Sequence, residues 1–265
     1  MIPVDPPPPQ IDTRRRRADN WLVAALCFAL AVALGLTWAG FSNSTASKPR
    51  FITAAVAVET APKMAPVARV ADFGAEKPSP DARHVADWIA ASADNGGMEF
   101  FIIDKKSARL YAFDADARLR DTSAVLLGLA VGDDSVPGIG TRPIAKVKPY
   151  ERTTPAGRFV AQRGHNTQKE DVVWVDYDAA VSMHRVRTTN PRDKRLERLA
   201  TATVADNRIS YGCINVPAEF YNTYVKPVFS KHRANVYVLP EVKSIQEVFG
   251  LTESAGAKLR ATPQG

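Results

Sequence analysis

Residues 21–41, WLVAALCFALAVALGLTWAGF, form an apolar run of 21 residues without a single charge. At 1.5 Å of rise per residue, a helix of that length is about 30 Å long, the thickness of a bilayer's hydrocarbon core. The four arginines at 14–17 precede it, and the positive-inside bias places their side in the cytoplasm. Trp21 and Trp38 stand near its two ends, where amphipathic rings favour the interface. The run therefore predicts a cytoplasmic tail over 1–20 and a single-pass anchor in the cytoplasmic membrane over 21–41. The competing reading is a cleaved signal peptide, whose apolar core is usually about 7–15 residues long and ends at a small-x-small site. This run is longer, and Trp38-Ala39-Gly40-Phe41 is a poor cleavage context, which favours the anchor. Both readings place the rest of the chain in the periplasm or cell wall.

The chain has an ordinary globular composition: of its 265 residues, 45% are hydrophobic and 24% charged, which excludes wholesale disorder and collagen-like repeats. Two cysteines are too few for a disulfide scaffold or a zinc ribbon, so no structural metal is expected. The net charge of +7 suits an acidic polymer or an anionic lipid surface. No nucleic-acid-binding motif accompanies it.

Past the apolar run, 42–80 is rich in Pro and Ala and reads as a linker. Val85, Trp88 and Ile89 recur at helical spacing behind a candidate cap at Asp81, so a short helix and turn are expected over 81–97. The pattern then becomes strand-like at 99–104, 109–113, 122–131, 159–162, 172–176, 180–184 and 236–239. Residues 105–108 form the first turn, and the Gly- and Pro-rich stretch 132–150 forms a long loop. A basic helix is expected over 192–200, and a helix interrupted before Pro227 over 216–229. The folded unit spans about 81–240, mainly β with small helices (α+β), and 241–265 reads as a helical or frayed tail.

Cys27 lies inside the apolar run, which leaves Cys213 as the one thiol outside it. A lone cysteine is most often a small buried hydrophobe. Its surroundings, Ser210-Tyr211-Gly212-Cys213-Ile214-Asn215, argue for more. A thiol becomes a nucleophile through its thiolate, and an imidazole within hydrogen-bond reach takes the proton. Among four histidines, His184 is best placed, at the end of an expected strand. His84 falls on the first helix, His165 in a loop and His232 in a basic turn. Gly212 permits close backbone approach, and the amides of Gly212 and Cys213 are candidate oxyanion donors.

These residues resemble those of a known family. Thr154-Pro155-Ala156-Gly157-Arg158-Phe159, His184 after a strand, and the segment from Ser210 to Asn215 are similar in order and spacing to the motifs of L,D-transpeptidase catalytic domains, the YkuD-type family. The resemblance covers 98–240. It implies a mixed β-sandwich or distorted barrel, with Cys213 as nucleophile, His184 as general base and acid, and Gly212 supplying an oxyanion N–H. The backbone carbonyl of Arg185 would orient His184. The implied activity is acyl transfer on peptidoglycan stem peptides, through an acyl-enzyme and without a cofactor, giving 3→3 cross-links or related linkages. The alternatives are an L,D-carboxypeptidase of the same fold and a non-catalytic wall-binding module. Papain-like peptidases fit less well, because in them the cysteine precedes the histidine in the chain.

Two positions depart from the family pattern: Tyr211 stands where a histidine is usual, and Arg185 where a glycine is usual. Tyr211 cannot serve as a base near neutral pH, given a reference pKa of about 10. Arg185 brings a cation beside the site, suited to favouring the thiolate or binding a substrate carboxylate. The stretch between His184 and Cys213 is basic and reads either as a carboxylate-binding lid or as a solvated helix. Ser210, Tyr211, Asn215, Arg152 and Arg187 complete the candidate substrate-binding set, with Asn215 better suited to fixing the turn.

Overall fold

The computed structural model describes residues 69–251. Contacts divide the chain into the units Met1–Met64 and Ala65–Gly265, and the described residues belong to the second. The expected tail 1–20 and anchor 21–41 lie outside the described residues, as does most of the linker. Among the described residues, no helix is long and apolar enough to cross a membrane.

The first helix, α1 (Pro80–Ser92), starts two residues earlier than a cap at Asp81 would give. Its cap is Ser79, whose hydroxyl accepts from the Ala82 amide at 3.1 Å, with Pro80 at the first helical position. Both choices satisfy or remove otherwise orphaned amide donors, and Asp81 instead lies in the favourable first turn. Part of 69–79, read as linker, is packed against the fold. Ala71 and Phe73 are buried, and the Phe73 ring meets Tyr111 and Phe113 edge-on.

Ten strands follow. β1 (Phe100–Asp104), β2 (Arg109–Phe113) and β3 (Leu119–Ala124) form an antiparallel meander. β5 (Gly157–His165), β6 (Asp171–Asp176) and β7 (Val181–Arg185) form a second one. β10 (Ala234–Val238) joins them, parallel to β1 and antiparallel to β5, and β9 (Ile214–Val216) adds parallel to β7. The result is an eight-stranded mixed sheet in the order β3-β2-β1-β10-β5-β6-β7-β9. Leu126, just after β3, bridges Asn215 on β9 at the opposite edge, so the sheet curls until it nearly closes. β4 (Leu127–Gly128) pairs with β8 (Arg208–Ser210) beside that seam.

Period-two alternation divides the side chains between two layers. Phe101 and Ile103 of β1, Val173 and Val175 of β6, Val181 and Met183 of β7, and Ile214 and Val216 of β9 fill the interior of the curl. Phe100 and Ile102 point the other way, beneath α1 and beside Tyr237. This double cover explains why β1 is apolar at four consecutive positions, and why its neighbour β10 is buried throughout.

The expected strand at 122–131 is two strands, β3 and β4, and β5 is longer than expected, taking in His165. The expected helix at 192–200 is a 3-10 turn, Pro191–Asp193, followed by α2 (Arg195–Ala200). Residues 218–231 run as one helical segment, from α3 (Ala218–Phe220) through the π-helical Tyr221–Val225 to α4 (Lys226–Lys231). Pro227 lacks an amide and crowds the preceding turn of an α-helix, and the wider π turn lies immediately before it. The described part of the expected tail is folded: Ser244 caps α5 (Ile245–Phe249) in a capping box with Glu247, and Ile245 and Leu251 are buried.

Candidate active site

The strand register brings the thiol and the imidazole together. β7 and β9 are parallel, with Met183 opposite Ile214 and His184 opposite Asn215. Met183 and Ile214 both face the interior of the curl, so by alternation His184 and Asn215 face outward. One step back along the register, Cys213 falls beside Ser182. Ser182 and His184 share the outward face of β7 at a spacing of two, so a thiol beside the first comes within reach of the second.

Cys213 is half-buried. Its Sγ lies 3.7 Å from the Ser182 hydroxyl and 3.8 Å from the Ala180 carbonyl oxygen. The Nδ1 atom of His184 lies 2.8 Å from the carbonyl oxygen of Arg185. A carbonyl oxygen only accepts, so Nδ1 carries the proton and Nε2 is the basic nitrogen left for the thiol. Burial alone pushes the Cys213 thiol up, but the His184 hydrogen bond and charge, with hydrogen bonds from Ser182, outweigh it and hold the pKa below the ordinary thiol value.

The turn before Cys213 is held from both sides. Gly212 sits at φ +121°, and a Cβ there would lie 2.6 Å from the Thr153 carbonyl oxygen, so conformation and space both demand glycine. The Gly212 amide donates to Ser210 Oγ at 3.1 Å, and the Ser210 hydroxyl donates to the Cys213 carbonyl at 2.6 Å. The Gly212 carbonyl accepts from Thr154 Oγ1 at 2.8 Å, while that oxygen accepts from the Gly128 amide at 2.9 Å.

This arrangement corrects two expectations. The Gly212 N–H is occupied and is not an oxyanion donor. Of the two candidate amides, that of Cys213 donates no hydrogen bond among the described residues. Ser210 has its proton and an acceptor lone pair committed to the turn, so it shapes the site and is not a substrate contact.

The Arg185 carbonyl lies where the resemblance implies, against His184 Nδ1, but the side chain does not bring a cation to the thiol. Its guanidinium turns away from the thiol, donating to Asp171 at 2.9 Å and to Asn222 at 2.6 and 2.9 Å, and lying 4.4 Å over the Tyr221 ring. It supplies no free cation at the thiol. Its clamp anchors the peptide unit whose carbonyl meets His184. Arg187 is likewise committed, to Glu170.

Asn215 is fully buried; its amide donates to the Cys213 carbonyl at 3.2 Å and its oxygen accepts from Arg195 at 2.6 Å. It fixes the turn and is not positioned to meet substrate. The Arg195 bond ties the 191–207 stretch over the outward face of β9, while Arg198 donates to the Asp193 and Asp206 carbonyls within that stretch. Tyr211 is 39% exposed, and the Arg152 guanidinium lies 3.8 Å above its ring.

A second polar cluster lies behind the site. Lys105, read only as a turn residue, is completely buried. Its Nζ donates to Gly132 O at 2.6 Å, to Asp133 Oδ1 at 2.8 Å and to Thr154 O at 2.8 Å. Asp133 in turn accepts from the amides of Glu241, Val242 and Lys243, and Glu241 pairs with Arg208. Lys105 thus pins the backbone of Thr154, the residue whose hydroxyl holds Gly212.

Among the described residues, no cluster of His, Cys, Asp and Glu is arranged to hold a metal ion.

No family model and no curated protein matches the chain. Solved structures similar to it include a mutant L,D-transpeptidase of Enterococcus faecium, at 15% identity and TM-score 0.31 over 54% of this chain and 50% of that one. An L,D-transpeptidase fragment from Xylanimonas cellulosilytica is 15% identical, with TM-score 0.32 over 53% of this chain and 60% of that one. The helical cell shape determining protein Pgp2 of Campylobacter jejuni is 15% identical, with TM-score 0.36 over 60% of this chain and 56% of that one. The chain thus spans between 50% and 60% of the length of these structures.

Proposed function

We propose that the chain is a cysteine-dependent L,D-transpeptidase of peptidoglycan stem peptides, tethered to the cytoplasmic membrane by 21–41 with its catalytic domain on the periplasmic side. The observation that carries this reading is the Cys213 thiol beside Ser182, on the strand face it shares with His184, with the imidazole lowering the thiol's pKa and its Nδ1 held by the Arg185 carbonyl. The motifs at 154–159 and 210–215 supply the substrate class by resemblance.

In the proposed reaction, His184 Nε2 takes the Cys213 proton and the thiolate attacks the carbonyl carbon of an L,D peptide bond. The electron pair of the C=O moves to oxygen, which the free Cys213 N–H receives. As the C–N bond breaks, His184 returns the proton to the departing amine, leaving a thioester on Cys213. An amine of a second stem then attacks the thioester carbonyl and loses a proton to His184. The C–S bond breaks, and the thiolate–imidazolium pair is restored. Water in place of the amine gives L,D-carboxypeptidase action at the same site. No step needs a cofactor.

The test is D-Ala release from tetrapeptide muropeptides by the purified chain, with and without an acceptor amine. Release abolished by Cys213→Ala and by His184→Ala supports the reading. Peptidoglycan binding without release, unchanged by loss of the thiol, points instead to a wall-binding module. The acceptor arm separates transfer from hydrolysis.

A further inference from the structure

Arg152 is placed differently from the other cations around the site. Arg185, Arg187 and Arg195 each have a carboxylate partner, in Asp171, Glu170 and Asp193. Arg152 has none among the described residues. The adjacent carboxylate, Glu151, is already taken by Arg142 at 2.7 Å and by the Lys148 amide at 2.9 Å. Arg152 donates one long hydrogen bond, from Nη2 to Val147 O at 3.3 Å, and its buried Nε has no acceptor. Buried donors without acceptors are rare and costly.

The guanidinium nevertheless has a defined orientation, 3.8 Å above the Tyr211 ring. A planar cation stacked by its face can still meet a carboxylate through the N–H groups not already engaged, those of Nη1 and the second N–H of Nη2, the buried Nε not being among them. The location matters as much as the lack of a partner. Tyr211 is two residues from Cys213, so their Cα atoms are within about 7 Å of each other. Backbone bond lengths put the carboxylate carbon of a C-terminal departing residue about 3–4 Å from the scissile carbonyl carbon. The backbone of the adjoining Thr153 also packs against Gly212, the residue before Cys213, so Arg152 and Tyr211 both flank the nucleophile turn on which a donor would be seated.

We infer that Arg152, held flat by Tyr211, is the specificity-determining residue that receives the terminal carboxylate of the acyl donor's departing residue. The inference rests on the proposed acyl transfer for its substrate class, but binding tests it without turnover. Tyr211, where the family pattern has histidine, is on this account the platform that orients the cation.

The test uses the full chain carrying Cys213→Ser, which forms no thioester, and two donor peptides: a tetrapeptide with a free terminal carboxylate and its terminal carboxamide. Calorimetry of the Cys213→Ser chain is expected to show a preference for the free acid of roughly ten- to a hundredfold, the size of one charge-assisted hydrogen-bonded contact. Adding Arg152→Met removes the preference, while Arg152→Lys, which keeps the charge but loses the planar edge, retains part of it. The thermal midpoint of each variant confirms that it is folded. A preference that survives Arg152→Met in a folded protein overturns the inference, as does equal binding, or no binding, of both peptides. Failure of the acyl-transfer reading appears separately, as absence of D-Ala release by the unsubstituted chain.

Discussion

Replacing Lys105 with methionine tests how the nucleophile turn is supported. Methionine fills most of the lysine's volume but removes an ammonium that is wholly buried and bonded to Asp133, Gly132 O and Thr154 O. Breaking a buried ion pair from one side usually costs about 3–5 kcal/mol, because the remaining charge is left uncompensated. A domain's entire stability is about 5–15 kcal/mol, so the variant is expected to lose a large share of it. Asp133 gives the loss a pH signature. Burial alone raises its pKa, but the Lys105 hydrogen bond and the three amides at 241–243 overcome that and hold it at about 2 instead of 3.8. A carboxyl with a depressed folded pKa stabilises the fold above its unfolded value and loses that contribution as pH falls through the folded one. At 1.36 kcal/mol per unit, this group contributes about 2.5 kcal/mol at pH 5 that is gone near pH 1. Urea denaturation of both proteins between pH 7 and pH 2 reads both effects. The account expects a loss above about 3 kcal/mol at pH 7 and a shallower acid-side decline in the variant. A loss under about 1 kcal/mol with an unchanged acid profile refutes the role given to Lys105.

Other consequences are local to the site. Thr154→Val keeps the shape but leaves the Gly128 amide without an acceptor and the Gly212 carbonyl without that donor, at about 1–3 kcal/mol in thermal or urea unfolding; a change below about 0.5 kcal/mol contradicts the contacts assigned to its hydroxyl. Gly212→Ala forces a Cβ against Thr153 at a positive φ, and D-Ala release is expected to fall at least tenfold in protein that remains folded. The rate of Cys213 alkylation by iodoacetamide should rise with pH through a midpoint below the ordinary thiol range of about 8–9, and His184→Ala should move it upward; an unmoved midpoint removes His184 as the thiol's partner.

The strands from 99 to 113 are legible as short apolar runs separated by a turn, because both of their faces are covered, and the strand carrying His184 shows Val181 and Met183 alternating toward the interior of the curl. Cys213 and His184 are legible as residue types, but their proximity is a matter of register. β8 and β9 are three residues each, too short to show a period, and β9 is the strand that delivers Cys213 beside Ser182. Ser182 itself was within reach of the sequence, since it lies two positions before His184 on the same face. The commitment of the Gly212 amide is invisible in sequence, because a backbone N–H leaves no trace of its partner, here the Ser210 hydroxyl two residues away. Lys105 was hidden for a different reason. Its neighbours Lys106, Ser107 and Ala108 describe an ordinary turn, and the three groups that hold its Nζ come from residues 132, 133 and 154. Arg185 shows the same limit: its charge was visible, but its capture by Asp171 and Asn222 was not.

The central claim is that Cys213 accepts an acyl group with help from His184. Incubation of the full chain with a carbapenem, followed by intact mass and peptide mapping, tests it most directly. The account predicts one covalent adduct, located on Cys213, absent from Cys213→Ser and slowed in His184→Ala. An unmodified chain, or an adduct that persists after Cys213 is replaced, contradicts it.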